Sequence, residues 1–267
     1  MTPTQILAAG TTGEGHRATP VELFFDVVYV FAFTQVTHLM TESGGVLGVL
    51  QGLAVFGVLW WSWASYAWLA NQVHTGYGLG RAGILGAVVL VFVVSLAIPG
   101  AFAERPDGPA GPLLFAACFI GVSVTYTIVT VLAAAADPVL RRQAIVTMGV
   151  TLLPVSAALL TDALLGGVAQ LVLWLAAVVI HGFTVWITSR GGAWRLPSAT
   201  HFAERHQLVV ILALGESVIS IGTGAGSHPV SVGLVTRAVL AIALAAATAN
   251  LLSIPLRCLR ALSTAGP

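Results

Sequence analysis

Lysine is missing from this sequence, and all 11 of its basic residues are arginine. The absence excludes a catalytic lysine that forms a Schiff base, and it also excludes a P-loop. Two cysteines are present, Cys118 and Cys258, which is too few for a disulfide framework or a cysteine metal site. Charged residues are equally scarce. They make up 8% of the chain, against about 25% in a typical soluble domain, and this excludes a water-soluble fold.

The formal net charge is +1 at pH 7, which leaves no surplus of positive charge to neutralise a phosphate backbone. We therefore expect no nucleic-acid partner. Apolar side chains are what the sequence has in abundance, at 57% of the chain, with a mean hydropathy of +0.95. Membrane lipid is the expected surrounding. The stretch before residue 20 lacks a basic segment followed by an apolar one, so we expect no cleaved signal peptide.

Long apolar runs define the fold class. A helix needs about 20 predominantly apolar residues to cross the hydrocarbon core of a bilayer. Eight runs predict an all-α, polytopic bundle of about eight transmembrane helices. They cover residues 21–40, 46–70, 82–103, 112–135, 143–165, 167–189, 206–224 and 231–256. The fifth and sixth runs are the least regular, because Pro154 and Asp162 interrupt the pattern there.

The distribution of arginine gives the predicted orientation. With eight spans, nine arginines fall on the side that carries both termini, and two, Arg105 and Arg237, fall on the other side. Loops rich in arginine stay in the cytoplasm, so both termini are predicted to be cytoplasmic. The predicted domains are a cytoplasmic tail over residues 1–20, a single transmembrane helical domain over 21–260 and a second cytoplasmic tail over 261–267.

Two carboxylic acids lie in the first predicted span. Glu22 and Asp26 are four residues apart, so they share one face of the helix. An ionisable group inside a bilayer is costly and is by default a candidate for function. The structural alternatives are an acid at the membrane interface for Glu22, and an ion pair or a cap to a neighbouring helix for Asp26.

Aromatic residues crowd the second span, in the stretch WWSWASYAW at residues 60–68. Trp61, Trp68 and Gln72 fall on one helical face, whereas Trp60 and Trp63 point elsewhere. Tryptophan is common at membrane interfaces, but four tryptophans in nine residues place some of them a turn or two inside. An interfacial belt and an aromatic-lined pocket are therefore both open.

The seventh span carries the deepest acid. Glu216 follows Arg205 by 11 residues, which places it about 16 Å further along the helix and near the midplane of the bilayer. A carboxyl group at that depth has to find a partner or take up a proton. We predict a functional role for Glu216, with Ser217 beside it. A structural hydrogen bond between helices is the alternative.

Polar residues of the first, second and seventh spans are predicted to converge on the cytoplasmic side. Glu22 and Asp26 are expected to lie near Arg205, because opposite charges attract strongly in a low-dielectric slab. The spacing of the histidines and acids matches no zinc signature, so no metal and no cofactor are predicted. Members of the converging set are Glu22, Asp26, Trp68, Asn71, His74, His201, Glu204, Arg205 and His206.

Three stretches together carry a family resemblance: VELFFDVVYVFAFTQVTHLM at 21–40, WWSWASYAWLANQ at 60–72 and HFAERHQLVVILALGESVIS at 201–220. In order and spacing they resemble motifs of the bacterial low temperature requirement A (LtrA) family of integral membrane proteins. The last stretch is similar to the family's E-R-x-x-L-x-x-I-x-x-L-G-E-S pattern. The similarity runs over most of residues 15–250.

The resemblance implies an all-helical, multi-pass protein of the bacterial inner membrane. It links the protein by the family's name to growth at low temperature, and it implies no settled biochemical activity. Family members are usually longer, with further spans after the eighth, and this sequence departs from that pattern after residue 250. The residues that match motif positions are Glu22, Asp26, Trp61, Asn71, Glu204, Arg205, Gly215, Glu216 and Ser217.

Three functions stay open at this point. The leading prediction is a proton-coupled small-solute transporter, because buried carboxyl groups relay protons in such proteins. One alternative is an integral-membrane enzyme that uses a buried carboxylic acid, Glu216 or Asp26, on a lipid-soluble, isoprenoid-like substrate. The other is a non-catalytic membrane scaffold. Binding of a small hydrophobic or polar ligand stays open, and so does assembly into a homo-oligomer. The candidate substrate-binding residues are Glu22, Asp26, Trp61, Trp68, Asn71, Glu204, Arg205, Glu216 and Ser217.

Overall fold

The computed structural model describes residues 18–73, 75, 77–102, 110–136, 138–165, 167–189, 198–226 and 231–264. Throughout these ranges the regular secondary structure is helical. Short 3₁₀ turns follow two of the helices, at Ile98–Gly100 and Ala134–Ala136. The α-helices are α1 (Pro20–Ser43), α2 (Gly45–Gln72), α3 (Gly78–Ala97), α4 (Ala110–Ala133), α5 (Pro138–Leu165), α6 (Gly167–Ser189), α7 (Ala199–Gly226) and α8 (Val232–Thr264).

Seven of the described helices, α1 to α7, are long and apolar enough to cross a membrane. Helix α8 contains a shorter apolar stretch, Val232–Thr248. The predicted all-α, polytopic bundle of about eight spans is therefore confirmed. Helix α5 continues through Pro154, so the irregular sequence there does not end the fifth span.

The chain divides into two compact units, Met1–His201 and Phe202–Pro267. The boundary falls inside α7, so the start of that helix through His201 belongs to the first unit and the remainder to the second. Each unit is described by itself. A single membrane domain over residues 21–260, with cytoplasmic tails on either side, stays a prediction.

The first unit is a bundle in which helices α1 to α6 pack against one another. Helix α1 packs against α2 and α3, and α2 also packs against α6. The pairs α3 and α4, α4 and α5, and α5 and α6 are in contact as well. Helices that follow one another through a short connection pack as antiparallel neighbours. Between α1 and α2 the turn is made by Gly44, whose φ of 65° is the left-handed conformation that glycine adopts without strain.

Helices α1 and α2 approach closely next to that turn. A Cβ atom added at Gly48 would lie 2.5 Å from the carbonyl oxygen of Met40, and one added at Gly52 would overlap the Met40 side chain. Small residues let membrane helices approach in this way. The backbones of α1 and α2 are therefore in close contact at the end of the first unit where α1 ends.

The same end holds a neutral polar contact. Gln170 near the start of α6 is buried, and its Nε2 donates to the carbonyl oxygen of Ala101 at 2.6 Å. The Trp174 ring lies one turn further along α6, with its centroid 4.7 Å from that of Phe115 and 5.5 Å from that of Phe102. We call this part of the first unit the amide end.

Candidate functional site

Glu22 lies in the first turn of α1, where the sequence favours a helix start. Thr19 is the N-cap residue, with extended backbone, and its hydroxyl accepts a hydrogen bond from the backbone N–H of Glu22 at 3.3 Å. Pro20 follows at the first helical position, where its missing N–H costs nothing. An acid in the first turn is stabilised by the helix dipole. Local sequence therefore fixes Glu22 at the start of the span.

The Glu22 side chain is completely buried, and partners contact both of its carboxylate oxygens. Nε2 of His201 lies 3.1 Å from Oε2 of Glu22, and both side chains have no exposed surface. The hydroxyl of Thr75 donates to Oε1 of Glu22. Thr75 also lies 3.1 Å from the hydroxyl of Thr19. A buried carboxylate and a buried imidazole therefore face each other, with two hydroxyl groups beside them.

His201 reaches Glu22 because the start of α7 is held in place. Ser198 precedes the helix, and its hydroxyl accepts a hydrogen bond from the backbone N–H of His201 at 3.2 Å. Asn71, in the last turn of α2, bonds the backbone of Ser198 twice. Its Nδ2 donates to the Ser198 carbonyl at 2.6 Å, and its Oδ1 accepts from the Ser198 N–H at 3.0 Å. We call Thr19, Glu22, Asn71, Thr75, Ser198 and His201 the carboxylate end of the first unit.

Asp26 lies one helical turn further along α1 and is also fully buried. The indole N–H of Trp63 donates to Oδ1 of Asp26 at 2.8 Å. One turn beyond, the Tyr29 hydroxyl and the Ser62 hydroxyl lie 2.8 Å apart. Glu22, Asp26 and Tyr29 thus form a line of buried polar groups along one face of α1, which the sequence predicted for the two acids.

The aromatic residues of α2 divide among several neighbours. The Tyr66 hydroxyl donates to the carbonyl of Val122 in α4 at 2.8 Å, and its ring centroid is 5.0 Å from that of Phe25. Trp61 instead stacks on His181 of α6, with centroids 5.6 Å apart and planes within 11°. These are packing contacts between helices, and they decide neither for an interfacial belt nor for an aromatic-lined pocket. Both predictions stay open.

The structure brings Glu22, Asp26 and Asn71 of the predicted site into the first unit's buried interior. Trp61 and Trp68 are half-buried, and His74 lies outside the described residues. His201 at the start of α7 contacts Glu22 of α1, whereas packing of the first helix along the rest of the seventh stays a prediction.

The other predicted residues belong to the second unit. Arg205 is buried, Glu204 and Glu216 are half-buried, and Ser217 is exposed. The Ser217 hydroxyl donates to the carbonyl of Ala213 in the previous turn at 2.8 Å. The predicted pairing of Glu22 and Asp26 with Arg205 joins the two units and stays a prediction. The functional roles of Glu216 and Ser217 stay predictions as well.

Three residues of the first unit's site escaped sequence analysis. Trp63 lies off the helical face that carries Trp61, and its indole N–H points towards Asp26. Thr75 was overlooked, although it follows Asn71 by four residues. Ser198 carried a usable signal, because a serine just before an apolar helical run is a typical N-cap.

Among the residues that the structure describes, no group of three or more His, Cys, Asp and Glu side chains is placed to hold a metal ion. What the described site can do is hold a proton. A carboxylate and an imidazole at hydrogen-bond distance can share one proton, and the pair changes its net charge when a second proton arrives. Because the pair is buried, a change in its charge strongly alters its interaction with neighbouring groups, since charges interact more strongly out of water.

Fold and site together define an all-helical, multi-pass membrane protein with a buried carboxylate–imidazole pair. The family model for the bacterial low temperature requirement A protein (LtrA) matches residues 17–250, and the chain belongs to that family. An uncharacterized protein of Rhizobium meliloti (strain 1021) is 28% identical over 219 residues, which are 77% of this chain and 51% of that protein. The chain thus spans about half the length of this curated relative. No solved structure matches.

Proposed function

We propose that this LtrA-family protein is a proton-coupled transporter of small solutes in the bacterial inner membrane, and that Glu22 and His201 bind the coupling proton. The observation that carries the proposal is the 3.1 Å contact between two fully buried titratable side chains in helices that can cross a membrane. Ionisable residues in such helices are by default candidates for function, and proton relays are one of their known roles.

The pair is suited to coupling because it joins two spans that are far apart in sequence. Glu22 belongs to α1, and His201 begins the long apolar stretch of α7. When Glu22 is ionised and His201 is protonated, their attraction holds the two helices together. A further proton on Glu22 removes the negative charge and leaves the imidazolium without its counter-charge, so proton binding and helix contact are linked.

The geometry favours transport over a scaffold. An inert scaffold gains little from a buried ion pair, because well-packed apolar residues of the same volume are often equally stable or more stable. It also favours transport over the enzyme. In the enzyme, an aromatic wall of Trp61, Tyr66 and Trp68 would stabilise a developing cation. Instead, Trp61 stacks on α6 and Tyr66 bonds α4.

Proteoliposomes that enclose a pH-sensitive dye test the proposal. We expect an added solute of one class, among amino acids, sugars, nucleosides and polyamines, to drive proton movement with the wild-type protein. Glu22→Gln should abolish that movement while the protein still folds, because the amide keeps hydrogen-bonding capacity but cannot exchange a proton. The matched control is Gln170→Ala at the amide end, which removes a buried polar side chain outside the proposed path.

Two results would overturn the proposal. One is that wild-type vesicles move no protons with any of the four classes. The other is that Glu22→Gln vesicles move protons at the wild-type rate, since the pair would then be structural only.

The distribution of arginine supports an orientation with both termini in the cytoplasm. The family's description supports a role in growth at low temperature. We expect a host strain without this gene to grow slowly in the cold, and the wild-type gene but not Glu22→Gln to restore growth. Equal restoration of growth by the two genes would show that growth in the cold does not depend on proton binding at Glu22.

A further inference from the structure

The last turn of α2 and the residues just after it reach both members of the proton pair, Glu22 directly through Thr75 and His201 indirectly through Ser198. Asn71 and Thr75 are fully or almost fully buried, and they are four residues apart. The helix ends between them with a regular bond, from the Val73 N–H to the Leu69 carbonyl at 3.0 Å. Asn71 faces the start of α7, and Thr75 faces Glu22.

Asn71 acts on the backbone of Ser198. A side-chain amide that both donates to and accepts from one residue's backbone fixes that residue in two directions. Ser198 in turn caps α7 through the N–H of His201, so the contacts run without a gap from Asn71 to Ser198, His201 and Glu22. This arrangement engages both Nδ2 and Oδ1 of Asn71, and it gives a structural reason for the burial of Asn71.

Thr75 acts on the other member of the pair. Its hydroxyl donates to Oε1 of Glu22, which leaves Oε2 directed at Nε2 of His201. A carboxylate held at one oxygen cannot rotate freely, so its second oxygen stays aimed at the imidazole. Thr75 also contacts Thr19, the N-cap of α1, which ties this hydroxyl to the start of the first helix.

We infer that Asn71 and Thr75 are positioning residues, which set the geometry of the His201–Glu22 pair from both sides. The inference rests on the proposed function, and it moves Asn71 from the predicted substrate-binding set to the support of the proton site. Each net hydrogen bond shifts an equilibrium by about fivefold, so two bonds from Asn71 favour the docked position of His201 by about 25-fold.

Spectroscopy of the pair tests this inference without a substrate. Protein labelled with ¹⁵N-histidine in nanodiscs gives the His201 imidazole signal, assigned by its loss in His201→Gln. We expect Asn71→Ala to abolish the wild-type Nε2 shift of His201, because the imidazole leaves Glu22. Ser198→Ala, which removes the cap hydroxyl alone, should weaken that signal in the same direction and serves if Asn71→Ala does not fold.

The Thr75 variants provide a conservative rescue. Thr75→Ser keeps the hydroxyl and should retain the infrared carboxyl band of Glu22, assigned by difference against Glu22→Gln. Thr75→Val has nearly the same shape without the hydroxyl and should shift that band. Gln170→Ala is the matched control for Asn71→Ala, since Gln170 is also a buried amide that donates to a backbone carbonyl. It should lower stability and leave both signals at their wild-type positions.

A wild-type His201 signal in folded Asn71→Ala protein would overturn the inference. An equal change in Gln170→Ala would also overturn it, because general loosening of the bundle would then explain both. The spectra report geometry and the vesicles report proton movement. Failure of the transport proposal is therefore visible as absent proton movement with these spectral changes intact.

Discussion

The two ends of the first unit are closed by different chemistry. At the amide end, Gln170 makes a neutral bond to Ala101, and glycine lets α2 lie directly on Met40. At the carboxylate end, a buried acid and a buried imidazole meet among hydroxyl and amide side chains. An amide has no titratable group, whereas a carboxyl group and an imidazole can each bind a proton. Under the proposed function, proton binding at the carboxylate end changes the contact between helices.

The largest expected effect comes from breaking the pair at the carboxylate end. His201→Leu leaves the Glu22 carboxylate buried opposite an apolar side chain, so we expect a loss of about 3–5 kcal/mol in the free energy of unfolding. Unfolding by SDS in mixed micelles measures it. The double variant Glu22→Leu with His201→Leu should recover most of the loss, because no uncompensated charge is left. A double variant as unstable as the single one would contradict this account of the pair.

The contact of Asp26 with Trp63 is the next test of that end. Trp63→Phe removes the indole N–H and keeps an aromatic ring, and loss of the donor to a buried acceptor costs about 1–3 kcal/mol. The same unfolding assay should show a loss of that order. Trp61→Phe is the matched control in the same helix, because Trp61 stacks on His181 and is only half-buried. Equal losses in the two variants would mean that ring volume, and not the bond to Asp26, carries the effect.

A steric test applies at the amide end. Gly48→Ala places a Cβ atom 2.5 Å from the Met40 carbonyl oxygen, so α1 and α2 must move apart, at a cost of about 1–3 kcal/mol. Gly86→Ala is the control, since a Cβ atom there meets nothing within 4 Å and alanine is the better helix former. We expect Gly48→Ala to lower stability without altering the His201 signal. A changed signal would show that the two ends are not independent.

Sequence alone could predict the number and type of the elements, because a membrane span needs a long apolar run and little else. It could also identify Glu22 and Asp26, since acids in an apolar helix are conspicuous. Helix α5 shows the limit of such patterns. Pro154 interrupted the sequence pattern, but the helix continues through it, because neighbouring helices supply packing that local propensity does not include.

The partners of the two acids could not be derived in the same way. His201 lies 179 residues from Glu22, and helical periodicity says nothing about which faces of distant helices meet. Thr75 is a common residue type outside the helices, so it carries little signal until the fold places it beside Glu22. The N-cap signal of Ser198 predicts a helix start but not the contact of that start with Asn71. Trp63 was conspicuous, but its face could be assigned only once α1 and α2 were seen side by side.

The smallest expected change in stability concerns Glu216, the acid that the sequence places deepest in the membrane. In the described structure it is half-buried, whereas Glu22 and Asp26 are fully buried. Substitutions away from buried networks change stability by less than about 0.5 kcal/mol, so Glu216→Gln should unfold like the wild type. The proton assay then sharpens the comparison. If Glu216→Gln retains proton movement that Glu22→Gln loses, the coupling site lies at the carboxylate end. If both variants lose it, α7 carries a second acid of the same pathway, because a variant of wild-type stability loses proton movement only when the exchangeable carboxyl itself is needed.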